Sequence, residues 1–306
     1  MPRAEWKLAL EIISDRVEIG GMQRFALSLV FVLLTACSYS DQTQLAAPAP
    51  SDEKAVELAQ ADEIAPVNPK ENAAVLGVGS LVVATDAGDV AITAVYHGTM
   101  RLDFAGKVWW LDPWSKGALD GAPKADYLLL TDIHQDHLDE DAIAKVEKEG
   151  TVVVAPKAVA AKLQRRKVDH VLANGEQVVI EGVTVKALPM YNNTRGPEPG
   201  TLFHDKGRGN GYVLTIGAKN IYIAGDTACT PEMKALSGID HAFVPMNLPY
   251  TMTPAEAAEC VKAFRPKVVT PYHYAGSDLM EFSAALEGVE GVQVVIAEFY
   301  PGGLPW

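Results

Sequence analysis

Beyond residue 90 the chain switches repeatedly between short alternating runs, continuous apolar runs and amphipathic stretches. Val90 to Val95, Met100 to Phe104 and Val108 to Leu111 are β-rich, broken by Gly98 and by Ala105-Gly106 as a meander would be. Tyr127 to Leu130 is uniformly apolar. After it, Asp139-Glu140-Asp141 opens an Ala/Ile/Val stretch that closes at Gly150, with Lys148 near its end, the charge placement a helix dipole favours. Thr151 to Ala155 predicts a strand, Lys157 to Gln164 a helix, and Gln177 to Ile180 with Thr184 to Leu188 a hairpin turning at Glu181-Gly182. Tyr212 to Ile216 and Asn220 to Ala224 predict another hairpin, followed by a short helix with Thr230 as N-cap and Pro231 in its first position. His241 to Pro245 is again strand-like. Thr253-Pro254-Ala255-Glu256 is a capping box whose helix must stop before Pro266. The strand Val268 to Thr270, a helix from Asp278 to Leu286 and the strand Val292 to Ala297 complete the pattern. Each half is β-rich at first and then interleaves strands with helices, which favours one α/β domain with helices outside two packed sheets.

The first 75 residues read differently. Phe25 to Ala36 is an apolar run too short to span a bilayer, preceded by Arg24, and it has the layout of a secretory signal starting at Met22, with residues 1–21 an upstream extension. Leu34-Thr35-Ala36-Cys37 closes it and resembles the lipobox of bacterial lipoproteins, in which Cys37 would carry the lipid. Ser38 to Lys70 is rich in Ala, Pro, Asp, Glu, Gln and Ser and reads as a flexible tether. The expected organisation is a signal over 22–36, a tether over 37–75 and a folded domain over 76–306. The expected location is the periplasmic face of a membrane, leaning to the outer membrane because Ser38 follows the cysteine.

The chain of 306 residues carries a formal net charge of −13, and removing residues 1–36 deletes four basic and four acidic residues, leaving that charge unchanged. Such a surface repels phosphate backbones, and Arg165-Arg166-Lys167 is too short to be a binding stripe, so nucleic acid is not an expected partner. Beyond Cys37, Cys229 and Cys260 remain. They either pair in an oxidising compartment or are two free thiols.

The chemistry concentrates in Asp132-Ile133-His134-Gln135-Asp136-His137, directly after an apolar strand. Two imidazoles and two carboxylates in six residues need partners or a metal, and N/O ligands at this density suit a borderline divalent ion such as zinc. Further polar clusters lie at strand ends or in loops: Ala224-Gly225-Asp226-Thr227, Pro271-Tyr272-His273-Tyr274 and Phe203-His204. Their order and spacing resemble the metallo-β-lactamase superfamily over about residues 90 to 300, nearest its lactonase-like and phospholipase-D-like branch.

The resemblance implies a four-layer αββα sandwich, two mixed sheets flanked by helices, with one or two divalent ions between the sheets. It maps the family's ligand motif onto Asp132, His134, Asp136 and His137, a bridging carboxylate onto Asp226 and the last imidazole onto His273. Asp112 would support the metal loop from behind, and His97 would lie near the ions. Two positions depart from the pattern: Asp132 stands where the family has His, and Met190-Tyr191-Asn192 stands where its middle His is expected. An Asp ligand shifts the first site toward harder ions, leaving iron or manganese open beside zinc, with His204 as the candidate third ligand there. One ion would take Asp132, His134 and His204, the other Asp136, His137 and His273, with Asp226 between them.

The activity implied is hydrolysis of a small ester, lactone, amide or phosphodiester by metal-activated water, which Asp136 would orient. β-Lactams are disfavoured by the missing first His. Tyr191, Asn192, Asn247, Tyr250 and Tyr274 are candidate hydrogen-bond donors to substrate, with loop closure as the alternative role, and Tyr274 is preferred for its place beside His273. The loop of residues 192–210 holds Arg195, Lys206 and Arg208 and is either an anion-recognising lid or a solvated connector. A metal-binding scaffold without turnover and, less favoured, a nucleic-acid-processing hydrolase are the competing functions.

Overall fold

The computed structural model describes residues 73–75 and 80–304, which belong to one compact unit, Glu63–Trp306. The signal, lipobox and most of the tether read from the sequence lie outside the described residues. Within them, no helix is long and apolar enough to cross a membrane.

Two mixed sheets face each other. The first begins with an antiparallel meander, β2 (Ser80–Val83), β3 (Val90–Tyr96), β4 (Thr99–Phe104) and β5 (Lys107–Leu111). It continues in parallel through β6 (Tyr127–Leu129), β7 (Val152–Ala155) and β8 (His170–Val171). The second repeats this plan, with β9 (Gln177–Ile180), β10 (Val183–Met190), β11 (Gly209–Ile216) and β12 (Lys219–Ile223) antiparallel. The strands β13 (His241–Pro245), β14 (Val268–Tyr272), β15 (Gln293–Ile296) and β1 (Ala73–Val75) then follow in parallel.

Sequence pattern explains the division. β3 alternates buried and half-buried positions, whereas β6 and β13 are buried at every position, because the parallel strands are covered on both faces. Three cores result. Ile92, Leu102, Val185, Leu214 and Phe243 pack between the sheets. Helices α1 (Glu140–Val146) and α2 (Lys157–Lys162) bury Ala142, Ile143, Val146 and Val159 against Leu128 and Val153. On the opposite side α3 (Pro231–Lys234), α4 (Pro254–Phe264) and α5 (Leu279–Ala285) bury Met233, Ala257, Val261 and Phe282 against Tyr222 and Val244. This is the four-layer αββα sandwich.

Thr230 and Thr253 cap their helices as expected, and Asp139 proves to be the cap of α1. Asp139, Thr230 and Thr253 each accept hydrogen bonds from the first turn of their helices, and Thr253 with Glu256 forms a complete capping box. The hairpin between β9 and β10 turns through Glu181 (φ 45°) and Gly182 (φ 85°), two left-handed residues as a tight hairpin requires. Several boundaries differ. α1 ends at Val146, so Lys145 rather than Lys148 is its last-turn base. β1, β2 and β8 were not anticipated, and β1 falls inside the segment read as tether; strands of two to four residues carry too little period to stand out. Cys229 and Cys260 are joined in a disulfide, which pins the loop after β12 to α4.

Candidate metal centre

Parallel strands present their carboxyl ends along one rim of each sheet, and the polar clusters sit at those ends. Asp112 follows β5, Asp132 to His137 follow β6, Asp226 follows β12 and His273 follows β14. His97 lies in the tight turn between β3 and β4. The two rims are stitched together by backbone. His273 N–H donates to the His97 carbonyl at 3.1 Å, His97 N–H to the Phe299 carbonyl at 3.0 Å, and Asn210 N–H to the Thr131 carbonyl at 2.9 Å. His97, Asp112 and His273 hold left-handed φ angles of 55°, 41° and 48°, conformations that non-glycine residues keep only when their surroundings over-determine them. At Gly98 a Cβ would stand 3.2 Å from the His273 ring and 3.5 Å from that of His137, so the imidazoles leave little room for a side chain there.

Two groups of ligand-type atoms result. Asp136, His137, Asp226 and His273 form one, and Asp132, His134 and His204 the other. In the first, His137 Nε2 lies 3.6 Å from Asp136 Oδ2 and 3.4 Å from Asp226 Oδ2, while His273 Nε2 lies 3.2 Å from Asp136 Oδ2 and 3.4 Å from Asp226 Oδ1. Four donors around a tetrahedral ion with bonds near 2.05 Å stand about 3.3 Å apart, so this spacing fits one divalent cation. Asp226 also reaches the second group, with its Oδ2 3.4 Å from His204 Nε2.

The decisive feature is what these atoms lack. His137 Nε2, His204 Nε2 and Asp226 Oδ1 are fully buried without a hydrogen-bond partner. Buried polar atoms are mostly satisfied in native folds, and ligand-type atoms left open at this spacing could hold a metal ion. The opposite ring nitrogens are occupied. His137 Nδ1 lies 2.8 Å from Asp112 Oδ2, and His204 Nδ1 lies 2.7 Å from Asn192 Oδ1. Since a carboxylate and an amide oxygen only accept, both Nδ1 atoms carry a proton and both Nε2 atoms are turned to the cavity, the orientation of metal-ligating imidazoles.

Electrostatics agree. Burial would raise the carboxyl of Asp226, but His273 and His137 outweigh it and hold it well below the ordinary carboxylate range. Asp136 is likewise lowered against its burial by His137, His273 and His97, and Asp132 against its burial by His134, His137 and His204. The three carboxylates therefore stay ionised in the cavity. Burial, and then His273, push the His97 imidazole down to about 4, so it is neutral near pH 7. Its Nδ1 lies 2.6 Å from the Tyr300 hydroxyl, which already accepts from Ala275 N–H. The Asp136 carboxylate only accepts, so the neutral ring carries its proton on Nε2 and donates to Asp136 Oδ2 at 3.2 Å, and Nδ1 accepts from the Tyr300 hydroxyl. Tyr300 thus supports the tautomer that positions Asp136.

Above the ligand atoms opens a cleft of about 340 Å³. Trp114, Phe203 and Tyr250 wall it, with Phe203 and Tyr250 packed edge to face at 5.0 Å, and Asn247 lines it with a buried amide oxygen that has no hydrogen-bond partner.

All seven expected metal-ligand residues converge, and His97, Asp112, Asn247 and Tyr250 stand beside them. Three expected substrate contacts do not. The Tyr274 hydroxyl donates to the Ala297 carbonyl and accepts from Phe299 N–H, both at 3.2 Å, so its place beside His273 in sequence does not bring it to the cleft. Tyr191 donates to Glu232 at 2.9 Å, and Asn192 is spent on holding His204 and donating to the Tyr250 carbonyl. Nor is the 192–210 loop an open anion receptor, because Arg195 pairs with Glu256, Lys206 with Glu232 and Arg208 with Asp132. Tyr300, Trp114 and Phe203 were missed as functional positions. Tyr300 and Trp114 each lie a few residues past a strand end, the rule that located the ligands.

Asp112 orients His137 without touching the cavity. Asp112→Ala is expected to weaken divalent-ion affinity by about 10- to 100-fold, measured by competition with a chromophoric chelator. Unchanged affinity would remove Asp112 from the centre.

The β-lactamase superfamily domain model matches residues 91–273. A metal-dependent hydrolase of the UPF0173 group from Thermus thermophilus is 34% identical over 157 residues, covering 50% of this chain and 67% of that protein. One from Methanopyrus kandleri is 28% identical over 230 residues, covering 69% of this chain and 97% of its own length. A crystal structure from Parabacteroides distasonis, named for a candidate metal-dependent hydrolase, superposes with a TM-score of 0.66 at 40% identity over 72% of this chain and 98% of that one. With the sandwich, the ligand clusters and a family match across 91–273 in agreement, this chain belongs to the metallo-β-lactamase superfamily.

Proposed function

We propose that the protein is a metal-dependent hydrolase acting on a small ester, lactone, amide or phosphodiester. The observation that carries this is the trio of buried, unpartnered atoms His137 Nε2, His204 Nε2 and Asp226 Oδ1 at the floor of a cleft large enough for a small molecule. The names of the relatives in Thermus thermophilus and Methanopyrus kandleri support the same class.

Asp136, His137, Asp226 and His273 would hold one ion, and Asp132, His134 and His204 a second, with Asp226 reaching both. When bound, such ions supply Lewis acidity and acidify a water to near neutrality, for which zinc is the proposed metal. The remaining work falls to the chain. Asp136, steered by His97 and Tyr300, accepts a hydrogen bond from the attacking water and so fixes its approach. Asn247 offers its unpartnered amide oxygen as an acceptor to the substrate, and Trp114, Phe203 and Tyr250 exclude bulk water and take apolar parts of the substrate. No side-chain nucleophile is needed.

We also propose that the protein is exported and tethered to a membrane through Cys37, facing the periplasm. The Cys229–Cys260 disulfide supports this, because such bonds persist in oxidising compartments. Cys37→Ser is expected to move the protein from the membrane fraction to the soluble one; retention in the membrane fraction would refute the lipid anchor.

For the activity, a panel of aryl esters, lactones and bis-aryl phosphodiesters is expected to reveal turnover that a chelator abolishes and an added divalent ion restores. Asp136→Ala should lower kcat by about 100-fold or more while the protein stays folded by circular dichroism. Tightly bound metal without turnover of any substrate would favour a metal-binding scaffold instead.

A further inference from the structure

Asp132 differs from the other two cavity carboxylates in its partner. The guanidinium of Arg208 grips it with two hydrogen bonds, Nε to Oδ1 at 3.1 Å and Nη2 to Oδ2 at 3.0 Å. Asp132 is fully buried and the Arg208 side chain only 18% exposed. Nη2 also donates to the Phe203 carbonyl at 2.7 Å, and His134 Nδ1 lies 2.7 Å from the same Asp132 Oδ2. Both oxygens of this carboxylate are therefore engaged by protein. Asp136 and Asp226, by contrast, face the imidazoles of His137 and His273.

The pairing is built into the backbone. Asn210 N–H donates to the Thr131 carbonyl, one residue from Asp132, and Gly209 packs so closely that a Cβ there would stand 2.9 Å from the Thr131 carbonyl oxygen and 2.3 Å from Met190 Cε. Arg208 enters this contact from a turn closed by its own N–H on the Asp205 carbonyl at 3.1 Å. The approach of the loop to the end of β6 thus delivers the guanidinium to Asp132.

We propose that the two halves of the centre are unequal: Asp136, His137, Asp226 and His273 hold their divalent cation tightly, whereas Arg208 caps the Asp132, His134 and His204 set and makes a second cation labile there. The proposal rests on the reading of the cavity as a metal centre. Its physical basis is competition. A cation entering the second set must share a carboxylate already forked by a guanidinium, and it meets the guanidinium's like charge at close range. Arg208 yields the carboxylate only by moving, and its backbone and Phe203 contacts oppose that.

The test is a titration of the metal-free protein with Mn2+, following free ion by electron paramagnetic resonance, together with elemental analysis of the zinc retained after desalting. Wild type is expected to retain one ion and to bind a second at least about tenfold more weakly, and Arg208→Gln to strengthen the second site by about tenfold or more. Should Arg208→Gln fail to fold, Arg208→Lys decides, since it keeps the charge, loses the fork and is expected to strengthen the second site less. Two ions bound with equal affinity by wild type, or a second affinity unmoved in the folded variants, would overturn the proposal while leaving the metal centre intact. A wild-type protein that binds no ion would overturn the metal centre itself and this proposal with it.

Discussion

Negative charge sealed between two sheets is the constraint on which the rest of the molecule turns. Asp226 is buried with one oxygen that no hydrogen-bond donor satisfies, and two imidazole nitrogens beside it are equally orphaned. A carboxylate left uncompensated at such a depth is expensive. The fold answers by gathering imidazoles around the carboxylates at the spacing a divalent cation wants. Stability and function are thus opposed at this seam, and the surrounding cores carry the difference.

Those cores also explain how the geometry is held. The parallel strands are buried on both faces, and β5, β6, β12 and β14 each lead at the carboxyl end into a ligand or its support. The left-handed conformations of His97 and His273 are sustained by backbone bonds between the rims, and that of Asp112 by its N–H on the Leu129 carbonyl of the neighbouring strand. Asp112 behind His137, Asn192 behind His204 and Tyr300 behind His97 form a supporting layer that fixes which nitrogen of each ring faces the cavity.

Much of this was legible in the chain, and the reasons are physical. Fully apolar runs such as Tyr127 to Leu130 announce strands covered on both sides, and His and Asp directly after them are difficult to explain by packing. Most of the ligands could therefore be picked out by strand-end position together with the family resemblance, whereas His204 lies in the 192–210 loop. Roles that depend on side-chain direction could not be picked out this way. Tyr274 neighbours His273 in sequence, yet its hydroxyl turns to the backbone of Ala297 and Phe299. Asn192 looked like a substrate donor and proves to be the prop of His204, because the 192–210 loop returns His204 beside it. Arg208 was visible as a basic residue in that loop, but its partner Asp132 lies 76 positions away, beyond any local pattern. β1, β2 and β8 are too short to carry a period.

The central claim is that a divalent cation sits among His137, Asp136, Asp226 and His273. It is tested most directly by an anomalous difference map from crystals of the protein as purified, collected at the absorption edge of the metal found in it. The account predicts a peak within bonding distance of His137 Nε2, His273 Nε2 and the Asp226 carboxylate; a map with no peak there, or with its metal bound elsewhere on the surface, would contradict it.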